Sequence, residues 1–249
     1  MNTIIIRPYS YITAVTLLSL SFLLGANMAS AEKSSLDTTT YLRYQHEGKQ
    51  SFGILTGDTV EELKGDLFNK PTTSGKKIKL SDVKILTPVE PSKVIAVGLN
   101  YKSHIGENAP AKYPGLFAKF PSSLIAHKDN IVVPKDSTNL HYEGEMVLVI
   151  GKKASKVSVE NAKDYVFGLS IGNDVSERSW QRSDLQWFRA KGSDTFGPIG
   201  PYIVTGLDAD NLLLETRVNG EVRQSSNTDL LIFDVATIVS YISQYITLL

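Results

Sequence analysis

The stretch His141–Gly151, HYEGEMVLVIG, decides how the fold is read. From Met146 to Ile150 every residue is apolar, the run of a strand buried on both faces. Side chains alternate along a strand, so Glu143 and Glu145 share a face with Val147 and Val149. Two carboxylates at the entrance to a core repel each other and resist desolvation. Either they lie on a solvated strand end, or a cation offsets their charge.

Comparable apolar runs lie on both sides. KVIAVGLNY (93–101), SLIAHKDNIVVP (123–134), DYVFGLSIGND (164–174) and PIGPYIVT (198–205) each end on or near Gly, Asn, Asp or Pro. LLLETRVNGEVRQ (212–224) alternates around Asn219-Gly220, a hairpin signal. Upstream, YLRYQ, SFGIL and VEEL are short strand-like pieces separated by turn residues. The sequence therefore divides into a small β-rich domain over 32–86, a proline-marked linker TPVEPSK over 87–93, and a main domain over 94–249. The fold class expected is α+β, mainly β. Helical spacing is confined to the end, where Val235, Ile238, Val239, Ile242, Ile246 and Leu249 follow a capping Asp234.

Residues 1–31 read as a signal peptide. One arginine precedes an apolar run over 11–26, and Ala29-Ser30-Ala31 forms a small-residue cleavage site. The run falls short of the ~20 residues of a spanning helix. The mature chain is expected to start near Glu32, exported to the periplasm or secreted and without a stable membrane anchor. There is no cysteine, hence no disulfide and no thiolate chemistry. The 26 basic and 26 acidic residues balance, which argues against nucleic acid as a partner. The chain ends on Leu248 and Leu249 with no helix-stop signal, and is read as truncated.

Three features carry chemistry. Asp174 ends its own apolar run and could converge with Glu143 and Glu145; a hard divalent cation favours such carboxylates in their ionised form. His104 and Glu107, in GLNYKSHIGE, are three apart, and on a helical turn the carboxylate could orient the imidazole as a general base. Lys191 lies in FRAKGSDTFGPIGP, where a Gly/Pro-rich loop is expected, and could stabilise an enolate or oxyanion. His46, His127 and His141 have no partner spacing and are read as structural.

Taken in order, GLNYKSHIGE, PSSLIAH, YEGEMVLVIGK, GNDVSERSWQ and RAKGSDTFGPIGP resemble the fumarylacetoacetate hydrolase family from about Lys93 onward. The N-terminal piece is similar to the small domain that many bacterial members carry. The resemblance implies a mixed β-sandwich roll, usually dimeric, that binds Mg²⁺ (or Mn²⁺ or Ca²⁺). It puts metal carboxylates on Glu143, Glu145 and Asp174, a His–Glu base pair on His104 and Glu107, and a catalytic lysine on Lys191. Arg178 and Gln181 match positions that reach the substrate. At His141 relatives often have an acid, and at Ser193 a bulky apolar residue; they also continue past the final helix into strands and a Gly-Thr turn. The activity implied is hydrolysis or decarboxylation at a C–C bond of a small keto-acid or diketo-acid. The alternatives are an isomerase or tautomerase of a related 2-hydroxy-dienoate, or an inactive exported fragment.

Overall fold

The computed structural model describes residues 3–8 and 37–249. The cleavage site after Ala31 and the apolar run before it lie outside the described residues. The architecture is mainly β with a few short helices, as the runs of apolar residues ended by turn residues imply.

Four strands, Thr39–His46, Lys49–Thr56, Thr59–Lys64 and Thr72–Lys79, form an antiparallel meander. Leu42, Tyr44, Val60 and Ile78 fill one of its faces. The meander belongs to the same sheet as the main domain. Tyr41 pairs with Ile203, Val204 with Leu169, and strand Val166–Asn173 with Gly144–Ile150; with the short strand Lys84–Ile85, which pairs with Thr39–His46, this gives eight strands in one sheet.

Strand Gly144–Ile150 is the outermost strand of that sheet. This corrects the expectation of burial on both faces: only Val149 in the Met146–Ile150 run is buried, at 5 % exposure. The other residues border a cavity of about 530 Å³, which also touches Val94–Gly98 and the helix Val235–Tyr245. The helix forms because Asp234 caps it, its Oδ1 accepting from Thr237 N–H at 2.7 Å. It buries Val235, Ile238, Val239 and Ile242 against Ala154, Val157, Ala162 and Leu248. It ends at Tyr245, so the expected helical positions Ile246 and Leu249 lie beyond it and are exposed. No described helix is long and apolar enough to cross a membrane.

The Asn219-Gly220 hairpin forms as expected. Asn219 (φ 53°) and Gly220 (φ 88°) turn strand Leu212–Val218 into Glu221–Asn227. Two successive positive φ values give the turn that matches strand twist. The hairpin belongs to a separate sheet, where Leu212–Val218 also pairs with Thr3–Pro8.

Candidate active site

Strand register brings the acids together. Gly144 stands opposite Asn173 and Glu145 opposite Gly172, so Glu143 falls beside Asp174. The main chain locks this arrangement: Asp174 N–H donates to the Glu143 carbonyl at 2.8 Å, and Glu143 N–H to Asn173 Oδ1 at 2.9 Å. All three carboxylates line the polar end of the cavity.

Two buried lysines face them. Lys191, 3 % exposed, puts its Nζ 2.6 Å from both Glu143 Oε2 and Asp174 Oδ2. It sits on the short helix Phe188–Gly192, which corrects the loop expected from the flanking Gly and Pro residues. Burial of Ala190, Lys191 and Gly192 holds that turn against the site. Lys119 ends strand Gly115–Lys119 and donates to Asp174 Oδ1 at 2.5 Å, to the Val175 carbonyl and to the Lys191 carbonyl. It therefore ties Asp174 to the backbone that carries Lys191. Removing either partner of such a buried pair leaves an uncompensated charge. Among the described residues, no three carboxylate or imidazole groups form a cation-holding cluster; the lysine ammonium groups hold the Glu143 and Asp174 oxygens.

Glu145 is the acid left over. Burial, then the neighbouring charges of Glu143 and Asp174, push its carboxyl up to about 8. Tyr101, also on the cavity wall, is pushed up to about 12 by burial and by the charges of Glu145 and Asp229.

Arg178 and Gln181 lie on the helix Arg178–Ser183 and line the cavity. Arg178 Nη1 donates to Gln181 Oε1 at 2.7 Å, and Nη2 pairs with Glu143 Oε1. Glu177, fully buried, starts the helix. Its carboxylate accepts from Trp180 N–H (2.7 Å), Asn139 N–H (2.6 Å) and Thr138 N–H (3.2 Å). This joins the segment that leads into Glu143 to the helix bearing Arg178.

The His104–Glu107 pairing does not form. Helix Lys102–Ile105 is four residues long, and Gly106 at φ 59° ends it before Glu107. The i, i+3 geometry is lost at that turn, and both side chains are exposed. His104 still borders the cavity, whereas Glu107 does not.

Sequence reasoning missed Lys119 and Glu177. Lys119 had a signal: a lone cation closing the apolar strand LFAK. Glu177 had none, because a Glu between Ser and Arg reads as an ordinary polar helix start.

Comparison with known proteins places the chain. Residues 93–249 match the model described as fumarylacetoacetate (FAA) hydrolase C-terminal. Residues 40–88 match one described as Rv2993c-like, N-terminal. Protein Rv2993c of Mycobacterium tuberculosis is 43% identical over 196 residues, covering 77% of this chain and 74% of its own length. Oxaloacetate tautomerase Fahd2a, mitochondrial, of Rattus norvegicus is 42% identical over 178 residues, covering 69% of this chain and 57% of its own. Among solved structures, 2-hydroxyhepta-2,4-diene-1,7-dioate isomerase from Mycobacterium marinum superposes with a TM-score of 0.79 at 39% identity, over 85% of this chain and 83% of that one. Maleylpyruvate hydrolase from Sphingobium sp. SYK-6, in complex with manganese(II) ion and pyruvate, gives a TM-score of 0.69 at 27% identity, over 84% of each chain. With its carboxylates at paired strand ends and this match over most of its length, the chain belongs to the fumarylacetoacetate hydrolase family.

Proposed function

We propose that the chain is an enzyme that handles a small keto-acid or diketo-acid through an enolate, with a divalent cation held by Glu143, Glu145 and Asp174. One observation carries this reading. Glu143, Glu145 and Asp174 line one 530 Å³ cavity, and Lys191 stands 2.6 Å from Glu143 and Asp174, holding the oxygens that a cation would take over.

The residues fit a cation. Glu145 is pushed up to about 8 because Lys119 and Lys191 do not offset its burial beside two other acids. A set of hard carboxylate oxygens with no sulfur or nitrogen donor suits Mg²⁺, Mn²⁺ or Ca²⁺. Once bound, such an ion polarises the substrate carbonyl as a Lewis acid. The manganese and pyruvate in the maleylpyruvate hydrolase structure support this choice.

The chain's own residues would do the rest. Arg178, braced by Gln181, pairs with a substrate carboxylate in the planar two-point manner of guanidinium. Lys191 donates to the carbonyl oxygen as it gains negative charge when the adjacent C–H or C–C bond breaks. His104, on the rim, takes or returns the proton. Apolar walls from Val97, Leu148 and Val239 keep bulk water from the reacting end.

Two outcomes share this enolate. Hydrolysis or decarboxylation breaks a C–C bond, and hydrolysis also needs an activated water. Isomerisation needs only proton movement. Isomerisation is the branch favoured here, since it needs no activated water and His104 lines the cavity while Glu107 does not. The tautomerase and isomerase among its relatives support the same branch. Export by residues 1–31 and pairing of two copies are further parts of the proposal, to be checked by fractionation and light scattering.

The test uses chelated protein with Mg²⁺ or Mn²⁺ restored, offered oxaloacetate and acylpyruvates. Enol loss by ultraviolet absorbance and pyruvate release separate isomerisation from cleavage. No turnover of any of these by a folded, cation-loaded chain would sink the proposal.

A further inference from the structure

The glycine between the two glutamates faces the hairpin Leu212–Asn227. Gln224 grips its peptide at both ends: Gly144 N–H donates to Gln224 Oε1 at 2.9 Å, and Gln224 Nε2 donates to the Gly144 carbonyl at 2.7 Å. The side-chain amide thus acts as one rung of a strand ladder on a strand that, among the described residues, has no neighbouring strand on that side. Thr216 Oγ1 donates to Gln224 Oε1 at 3.2 Å and sets the amide's orientation.

The contact is so close that only glycine fits. A Cβ at Gly144 would lie 2.0 Å from Thr216 Oγ1 and 3.4 Å from Gln224 Oε1. Residues on either side of Gly144 point away from the hairpin, into the cavity, and these are Glu143 and Glu145. The Glu-Gly-Glu order follows from this: carboxylates on one side, and on the other a bare peptide for Gln224 to hold.

We propose that Gln224 is a positioning residue for the Glu143–Glu145 pair, acting through the Gly144 peptide to hold both carboxylates in place for a divalent cation. This rests on the cation reading above and adds the element that enforces it. Main-chain restraint on both acids comes from two directions, Asn173 and Asp174 across the sheet and Gln224 from the hairpin. Loss of Gln224 leaves one.

The probe is Mn²⁺ alone, titrated calorimetrically into the full chain, with thermal melting run in parallel. Gln224→Leu keeps the bulk but neither hydrogen bond. It is expected to weaken Mn²⁺ binding by about 10- to 100-fold, the range for lost outer-shell partners of metal ligands. Its melting temperature should fall by only a few degrees, because the Gly144 N–H and carbonyl lose their partners while the sheet pairing to Val166–Asn173 is kept. Arg223→Ala, an exposed neighbour on the same strand, should leave Mn²⁺ binding unchanged. Gln224→Leu binding Mn²⁺ within about twofold of the parent would overturn the inference while leaving the cation reading intact. A parent chain that takes up no Mn²⁺ overturns the cation reading, and this inference with it. Should Gln224→Leu not fold, the near-isosteric Thr216→Val decides, with an expected loss of about threefold and an unchanged affinity counting against the proposal.

Discussion

Asp174 and Glu143 are joined twice, by an N–H···O=C bond of 2.8 Å and by the Lys191 ammonium, 2.6 Å from a carboxylate oxygen of each. The backbone bond sets where the acids stand, and the lysine makes the arrangement tolerable without a metal. Glu145 has no such relief.

That difference gives the first prediction. The folded-state value of Glu145, about 8, lies above that of an unfolded carboxylate, so the folded chain binds more protons between roughly pH 4.5 and 8. Stability of cation-free protein therefore falls as pH rises through that window. Glu145→Gln removes the slope. At pH 7 the variant should be more stable than the parent by on the order of 2–3 kcal/mol in EDTA, as judged by denaturant melts. With Mg²⁺ added, the parent should gain stability and the variant should not. A variant less stable in EDTA would mean that the glutamate is not strained in the empty site.

Lys191 should separate binding from turnover. Lys191→Met removes a positive charge beside Glu143 and Asp174, so Mg²⁺ or Mn²⁺ should bind at least as tightly as in the parent. Turnover should nonetheless drop by at least about 100-fold, the usual loss when an oxyanion donor is removed. Calorimetry beside steady-state kinetics checks both halves. A variant that loses cation binding and turnover together would make Lys191 structural.

How much of this was legible in the sequence depended on contrast. Glu143, Glu145 and Asp174 stood out because carboxylates at the ends of apolar strands are anomalous, and their strands do pair. Lys119 sits in the same kind of context but carries less contrast, since a lysine closing a strand usually snorkels to water. Glu177 and Gln224 act through backbone groups, and a sequence does not show which peptide a side chain will reach. The His104–Glu107 expectation failed on one residue: spacing alone suggested a turn of helix, yet Gly106 takes a positive φ and ends it.

Glu177 tests the link between the segment before Glu143 and the helix of Arg178. Glu177→Ala strands the N–H groups of Thr138, Asn139 and Trp180 in a buried setting. Charge-assisted bonds of this kind contribute roughly 1.5–3 kcal/mol each, and water entering the cavity recovers part of that. A net loss of about 3 kcal/mol is expected in urea melts. Glu177→Gln, which keeps an acceptor oxygen, should lose less than half as much. Equal losses for the two variants would show that the carboxylate's charge is what matters there, since Gln keeps the volume and one acceptor oxygen.

The final helix carries one wall of the cavity, so its cap should be felt at the site. Asp234 is held below the usual carboxylate range by the hydroxyl and N–H of Thr237. A depressed folded value means that the cap's contribution is present above the ordinary carboxylate range and is lost as pH falls through the lower folded value. Asp234→Ala should therefore cost about 1 kcal/mol at pH 7, with the deficit shrinking toward pH 3. Val235, Ile238, Val239 and Ile242 pack from this helix onto the cavity's apolar strands. Fraying its first turn loosens Val235 and Ile238 before the rest, so hydrogen exchange in Asp234→Ala should quicken at Ile238, whose N–H donates to the Asp234 carbonyl at 3.0 Å. Exchange along Gly144–Ile150 should change little, because that strand's backbone bonds go to Val166–Asn173. Faster exchange spreading equally to both would show that helix and strand open as one unit.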